Sequence, residues 1–308
     1  MIAFFSNRTE QPDLNPDVID LFIYNLESQK FREIQTPQGF KRKANFSPNG
    51  KLVAYIGREG LKADYKNDEL WVVDIENESS AVSLTSALDF DVGGGVINDI
   101  GSFVTSKPYW TPDGRDLVFQ VGQHGRASLH KIGVDGDGLE TLIKYDGVVS
   151  GFSIDAAGDN ISYIHGSFFD PCQIGYYTLN DSKNQILTNL NKFLLESVDL
   201  GVLEEVWFEG NDGNPLQGWI LKPPGFDPVN RYPSVLEIHG GPLAQYGYFF
   251  MHEFFYLAAK GYVVYFCNPR GGQGYGEEHA KAIYHGRWGT VDYEDLMFWA
   301  DKMEALLY

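Results

Sequence analysis

Two glycine-rich stretches in the last third of the chain carry residues that could do chemistry. His239 to Pro242 (His-Gly-Gly-Pro) follows one apolar run, and Asn268 to Gly276, which contains Arg270, follows a second. A glycine has no Cβ, so its backbone N–H can approach a substrate oxygen closely, as stabilisation of an oxyanion during acyl transfer requires. Gly241 is our candidate oxyanion-hole donor. The surrounding candidate active-site loop consists of His239, Gly240, Pro242 and Arg270.

Both stretches also have a purely structural interpretation. Gly240 and Gly241 could form only a tight turn, and His239 is expected to brace its loop by hydrogen bonding. Arg270 could bind a substrate carboxylate or carbonyl, but an arginine in a glycine-rich loop more often pairs with a nearby carboxylate. We therefore expect Arg270 to hold its loop in place.

The other parts of an acyl-transfer site are missing from the sequence. Such a site needs a nucleophile, a base that takes its proton and a carboxylate that orients the base. In α/β-hydrolases the nucleophilic serine lies on a G-x-S-x-G elbow, and the acid and the histidine follow it along the chain. The chain contains no G-x-S-x-G, since Gly151-Phe-Ser-Ile-Asp155 differs at the last position. We therefore expect no catalytic triad residue in this chain.

Alternating strands and helices are predicted to position the two stretches. The predicted strands are Glu205 to Glu209, Leu216 to Leu221, Ser234 to Ile238 and Tyr262 to Cys267. The predicted helices are Phe249 to Lys260 and about Val291 to Leu307. Each glycine-rich stretch follows the end of a strand, which is typical of α/β sheets with active loops at the carboxyl ends of their strands.

The first two thirds of the chain contain a repeat. Four segments with alternating apolar residues start at Leu21, Leu70, Leu129 and Ile174, which are 49, 59 and 45 residues apart. Between them, aromatic residues lead into turns whose Pro, Asn or Asp, and Gly residues suit a chain reversal. Four short strands per repeat at this spacing favour β-propeller blades over an ordinary β-sandwich. Ile2 to Ser6 aligns with a later strand of the repeat, so we expect the chain to begin inside a blade.

Composition excludes several classes of protein. The 308 residues include 24 Lys plus Arg and 42 Asp plus Glu, a net charge of −18, which disfavours nucleic acid as a partner. No apolar run reaches about 18 residues, so no membrane span is predicted. Cys172 and Cys267 lie far apart and outside any zinc-ligand spacing, and we expect a cytoplasmic chain without metal or cofactor.

Asp135 to Gly138 resembles a calcium loop but lacks its later ligands, so a hairpin turn is predicted there.

The motifs together resemble the prolyl oligopeptidase family of serine peptidases, in particular its acylaminoacyl-peptidase-like branch. The resemblance depends on the propeller turns and on a series of shorter motifs. These are Gln217 to Pro223, Tyr232-Pro233, Glu237 to Pro242, Asn268 to Gly271, Gly274 to Gly276, Trp288-Gly289 and Asp292 to Leu296. The order and spacing of these pieces, more than any one of them, identify the family.

The resemblance implies a β-propeller (C-terminal blades, incomplete) over residues 1–200 and the first part of an α/β-hydrolase domain over 201–308. It implies hydrolysis of short peptides by a Ser-Asp-His triad beyond residue 308, so we expect this chain alone to be inactive. An unpaired sheet edge is expected at the truncation, to be completed by a second polypeptide or a homo-oligomer. The alternative is a propeller binding module with a vestigial, non-catalytic α/β segment.

Overall fold

Antiparallel strands, joined by tight turns and by a few longer connections, are the main elements of the first 186 residues of the chain. The structure is a computed structural model that describes residues 1–77, 81–101 and 103–306. The first sheet contains β1 (Ile2–Ser6), β2 (Asp20–Asn25) and β3 (Lys30–Ile34), with a 3-10 helix (Pro12–Leu14) between β1 and β2. The second contains β4 (Lys41–Phe46), β5 (Leu52–Gly57), β6 (Glu69–Asp74) and β7 (Val82–Ser83).

Two further groups of strands form one larger sheet. The third group contains β8 (Asp91–Val92), β9 (Tyr109–Trp110), β10 (Asp116–Gln123), β11 (Arg126–Gly133) and β12 (Glu140–Ile143). The fourth contains β13 (Gly147–Ile154), β14 (Asn160–Ser167), β15 (Gln173–Thr178) and β16 (Lys183–Ile186). The two groups are joined by a parallel pairing of Ala127 with Val148.

The turn predictions are confirmed at three equivalent positions. Gly50, Gly114 and Gly158 have φ values of 72°, 71° and 77°, a region in which side chains with a Cβ are strained. Each glycine N–H donates to the carbonyl three residues earlier, over 2.8 to 3.1 Å. The predicted hairpin turn at Asp135 to Gly138 is also present, because the Gly133 N–H donates to the Asp137 carbonyl between β11 and β12.

Apolar side chains fill the spaces between consecutive groups of strands. One cluster joins the first and second sheets and includes Leu21, Val53 and Trp71. A second joins the second sheet to the third group, and a third joins the third group to the fourth. Because each group buries its faces against its neighbours, the repeat produces a series of thin cores.

A mixed sheet with helices on both faces follows. It has the order β17-β18-β20-β19, in which β19 is parallel to β20 and the other pairs are antiparallel. Its strands are β17 (Val202–Glu209), β18 (Pro215–Lys222), β19 (Ser234–Glu237) and β20 (Val263–Asn268). The helices are α1 (Lys192–Leu195), α2 (His252–Ala259), α3 (Glu277–Lys281) and α4 (Val291–Glu304). Within the described ranges, no helix is long and apolar enough to cross a membrane.

Side chains along β18 and β20 alternate between the two faces of this sheet, and α2 and α4 cover opposite faces. Trp219 and Phe266 pack with α2, whereas Ile220 and Tyr265 lie in the cluster that includes Trp299 of α4. Gly218 makes room for α4, because a Cβ there would lie 2.8 Å from the Trp299 ring. The period of two in the sequence thus determines which residues each helix covers.

The helices differ from the sequence prediction in three respects. The helix predicted from Phe249 begins at His252, because the backbone N–H groups of His252 and Glu253 each donate to the carboxylate of Asp99 over 2.8 Å. The short helices α1 and α3 were not predicted. The last helix ends at Glu304, and the predicted end at Leu307 lies outside the described residues.

The β10–β11 hairpin contacts the mixed sheet at close range through two glycines. Gly125, at the hairpin tip, is buried with a φ of 69°, and a Cβ there would lie 2.8 Å from the Trp219 ring. A Cβ on Gly247 would collide with the Gly125 backbone. The Tyr248 N–H donates to the Gly125 carbonyl over 2.8 Å. We call this contact the glycine seam.

We expect Gly125→Ala to destabilise the protein by about 2 to 4 kcal/mol, since it adds a clash at the glycine seam to the cost of a positive φ. Gly138→Ala is a matched control, because Gly138 has the same φ of 69° and open space around its Cβ position. That control should cost only about 1 to 2 kcal/mol. Urea unfolding of both variants measures the difference, and equal losses would contradict the close approach.

Candidate functional site

The first glycine-rich stretch lies in the connection between β19 and α2, and its backbone is exposed at Gly240 and Gly241. Gly241 has a φ of 140°, and a Cβ there would lie 3.2 Å from the Ala244 Cβ. Gly240 has open space around its Cβ position. Among the described residues, neither glycine N–H has a hydrogen-bond acceptor. Both N–H groups are thus free to bind an oxygen of a ligand.

His239 lies directly before these glycines and supports the loop. Its Nδ1 lies 3.1 Å from the Gly240 carbonyl oxygen, to which it can donate. Its ring meets the Tyr246 ring edge to face, with centroids 5.0 Å apart. Burial lowers the pKa of His239, so the imidazole is neutral near pH 7. A neutral ring with Nδ1 bound to the backbone is suited to positioning the loop.

Arg270, in the second stretch, has carboxylate partners on two elements. Its Nε and one terminal nitrogen donate to Asp295 of α4 over 2.9 and 2.7 Å, and its other terminal nitrogen donates to Asp212 over 2.5 Å. The Asp295 side chain is only 1% exposed. These hydrogen bonds raise the pKa of Arg270 further above its ordinary value. Arg270 therefore connects its loop to α4 and to the β17–β18 turn.

The second stretch is also supported by His279 of α3, the helix that follows it along the chain. Its Nε2 lies 2.9 Å from the Pro269 carbonyl oxygen, and the Gly271 N–H donates to the His279 carbonyl over 2.8 Å. Burial lowers the pKa of His279 to about 4. The ring is neutral at pH 7, so it acts as a hydrogen-bond donor to the loop and not as a charge.

The structure brings the two stretches into contact. The Gln273 N–H donates to the Ala244 carbonyl over 3.0 Å, and a Cβ on Gly272 would lie 3.8 Å from the His239 ring. The Asn268 side chain accepts from the Tyr246 N–H over 2.8 Å and donates to the Tyr246 carbonyl over 2.9 Å. The Asn268 amide therefore makes the same pair of hydrogen bonds to the Tyr246 backbone that a neighbouring strand would make.

Sequence reasoning missed two buried amide side chains at this site. Asn268 is fully buried, and Gln245 is 1% exposed. Gln245 accepts from the Gly125 N–H over 2.8 Å and donates to the Gly95 carbonyl over 3.0 Å. An amide directly after an apolar strand, as in Cys267-Asn268, is the signal that could have drawn attention to Asn268, since a buried polar group needs partners.

This arrangement can bind an oxygen through backbone N–H groups on a loop that is held from several sides. Nowhere in residues 1–77, 81–101 and 103–306 does a group of three or more His, Cys, Asp or Glu side chains lie where it could hold a metal ion. Contacts from His239, Gln273 and Asn268 position the segment that carries the Gly240 and Gly241 donors, and donors positioned in this way are the condition for effective stabilisation of developing negative charge.

Comparison with known proteins identifies a group of peptidases. Residues 248–308 match the prolyl oligopeptidase family. An uncharacterized peptidase of Bacillus subtilis, YuxL, is 30% identical over 244 residues, which are 78% of this chain and 36% of that protein. Dipeptidyl-peptidase 5 of Porphyromonas gingivalis is 25% identical over 94% of this chain and 40% of its own length. The chain thus spans well under half the length of both relatives.

A solved structure is similar over almost the whole chain. The acylaminoacyl peptidase of Pyrococcus horikoshii superposes with a TM-score of 0.74 at 21% identity, covering 93% of this chain and 41% of that one. At this level of identity the likeness shows a shared fold over the aligned part.

We expect Asp295→Asn to destabilise the protein by about 3 to 5 kcal/mol, because it leaves the largely buried Arg270 without its main partner. Asp212→Asn is the matched control, since Asp212 pairs with the same arginine but its side chain is 56% exposed. The control should lose only a small fraction of that stability, because solvent screens an exposed pair. Urea unfolding checks both values, and a similar loss in the two variants would contradict the structural role assigned to Asp295.

Proposed function

Because this chain belongs to the prolyl oligopeptidase family of peptidases, we propose that it is part of a serine peptidase that hydrolyses short peptides. The sheets of residues 1–200 are blades of a β-propeller in this proposal, and residues 201–308 are the first part of an α/β-hydrolase domain. The order β17-β18-β20-β19, with one parallel pair and helices on both faces, supports the second assignment. The meander sheets with shared cores support the first.

The position of the Gly240–Gly241 loop is the observation that carries the proposal. In α/β-hydrolases one oxyanion donor is an N–H in the loop between the third strand and the following helix, and the other is the N–H after the nucleophile. The His239-Gly-Gly-Pro242 loop lies between β19, the third strand of its sheet along the chain, and α2. We assign Gly241 as the donor that this chain contributes.

Two observations support the proposed substrate class, namely the relatives' names and the contacts between the two units. Names such as dipeptidyl-peptidase and acylaminoacyl peptidase describe removal of short pieces from peptides. The β10–β11 hairpin and the connection that contains Asp99 both contact the unit that carries Gly241. Blades placed against this unit would admit small peptides to the site and keep larger peptides out. We therefore propose that the enzyme selects its substrates by size, through this exclusion.

A fluorophosphonate probe tests the serine-peptidase proposal. We expect the full-length protein encoded by the gene to be labelled on one serine, within a G-x-S-x-G motif that follows residue 308. The 308-residue chain should remain unlabelled because it lacks this motif. Stoichiometric labelling of a serine in the 308-residue chain, or absence of the motif and of labelling in the full-length protein, would refute the proposal.

We expect Gly241→Ala in the full-length peptidase to lower kcat by about 10²- to 10³-fold with little change in KM, as loss of one oxyanion donor does. The cause is the φ of 140°, which alanine resists, and the 3.2 Å approach of Ala244. Gly240→Ala is the matched control, since its Cβ meets open space, and it should keep most of the activity. Equal activity of the two variants would show that Gly241 contributes no donor.

A further inference from the structure

A continuous series of hydrogen-bonded side chains connects the β10–β11 hairpin to the candidate oxyanion loop. We call it the polar chain. Its members, in spatial order, are Arg126, Glu205, Gln217, Tyr275 and Asn268. It begins on β11, crosses β17 and β18 and ends on β20. It is distinct from the glycine seam, which is made by backbone contacts.

The donors of the polar chain all point toward Glu205. The Asn268 amide donates to the Tyr275 hydroxyl over 2.6 Å, and this hydroxyl donates to Gln217 Oε1 over 2.6 Å. Gln217 Nε2 donates in turn to Glu205 Oε1 over 2.5 Å. A negative charge at the end of such a series polarises every bond in it in the same direction.

The charge of Glu205 is well supported. Arg126 donates to Glu205 over 3.0 Å, and the Tyr248 hydroxyl donates to the same carboxylate oxygen. Burial by itself would raise the pKa of Glu205, but hydrogen bonds from Tyr248, Arg126 and Gln217 hold it below its ordinary value. Glu205 is therefore ionised at neutral pH, and its cationic partner is Arg126, which also pairs with the exposed Asp146.

The far end of the polar chain holds the loop backbone. Asn268 makes two hydrogen bonds to Tyr246, one with its N–H and one with its carbonyl. The third bond of Asn268 goes to the Tyr275 hydroxyl, so the polar chain holds this amide from the side opposite the loop backbone. The Tyr246 ring in turn supports His239, which precedes the two exposed glycines.

We propose that the polar chain is a positioning device, through which the ion pair of Arg126 with Glu205 sets the place of the Gly240–Gly241 loop. Its members are positioning residues, since they act on the loop only through hydrogen bonds to one another and to the Tyr246 backbone. This proposal rests on the proposed function in one respect only, which is that the Gly240–Gly241 loop binds an oxyanion. The blades would thus influence the site through a specific set of bonds as well as by limiting access.

Hydrogen–deuterium exchange of the 308-residue chain tests this coupling without any need for catalysis. The readout is the amide of Tyr246, which is protected by Asn268. Tyr275→Phe removes one hydroxyl from the middle of the polar chain and should speed this exchange by roughly tenfold. Tyr163→Phe is the matched control, because it removes a hydroxyl that donates to Asn184 in the fourth group of strands; it should leave the Tyr246 amide unchanged.

The end of the polar chain at Arg126 and Glu205 supplies the decisive variants. Glu205→Gln and Arg126→Gln should also speed exchange at Tyr246 by several-fold, although neither residue touches it, and Arg126→Lys should restore part of the protection by restoring the charge. Tyr248 offers a second route from Glu205 to the loop, so Glu205→Gln is repeated in a Tyr248→Phe background. Persistence of the effect there supports the polar chain.

Three results would overturn the coupling: an unchanged Tyr246 amide in Tyr275→Phe, an effect of Glu205→Gln that vanishes with Tyr248→Phe, or equal acceleration throughout the chain. Melting temperatures of all variants distinguish a general loss of stability, which would speed exchange throughout the chain, from local loosening near Tyr246. Because exchange is measured without substrate, it can succeed while Gly241→Ala leaves kcat unchanged. That combination would refute the oxyanion role and keep the coupling.

Discussion

The glycine seam is the contact on which the candidate site depends. At Gly125 and Gly247 two backbones approach so closely that a single Cβ on either would collide with the other. Backbone contact at this range fixes the hairpin relative to the segment from Gln245 to Tyr248, which continues the candidate oxyanion loop. A loop of small residues is flexible by nature, so its precision has to come from such neighbours.

Charged and polar side chains also hold the candidate site in place, through contacts between residues that lie far apart in the sequence. Asp89, in the connection between the second and third groups of strands, and Asp99, between β8 and β9, accept from backbone N–H groups at the starts of α3 and α2. Asp295 holds Arg270 beside the second glycine-rich stretch. Asp295 is buried, and its bonds to Arg270 offset the cost of burying a carboxylate, whereas Asp89 and Asp99 are exposed and bind the first backbone N–H groups of the two helices.

Much of the fold was predictable, because local signals determine it. Proline, asparagine or aspartate, and glycine residues determined the turns at Gly50 and Gly114, and aspartate and glycine without proline determined the turn at Gly158. Alternation of apolar residues located the strands that follow. The start of α2 was wrong because its cap, Asp99, lies more than 150 residues away. At the site, sequence reasoning found both loops, but the partners of Asn268 and Gln245 depend on tertiary contacts that no spacing rule reveals.

The most direct measurement is a crystal structure of the full-length protein with a covalent phosphonate on the proposed serine nucleophile. The account predicts that the phosphonate oxygen, which stands in for the oxyanion, lies about 3 Å from the Gly241 nitrogen, with the loop in the position described here. A phosphonate oxygen bound by other donors and remote from residues 239–242 would contradict the assignment of this loop.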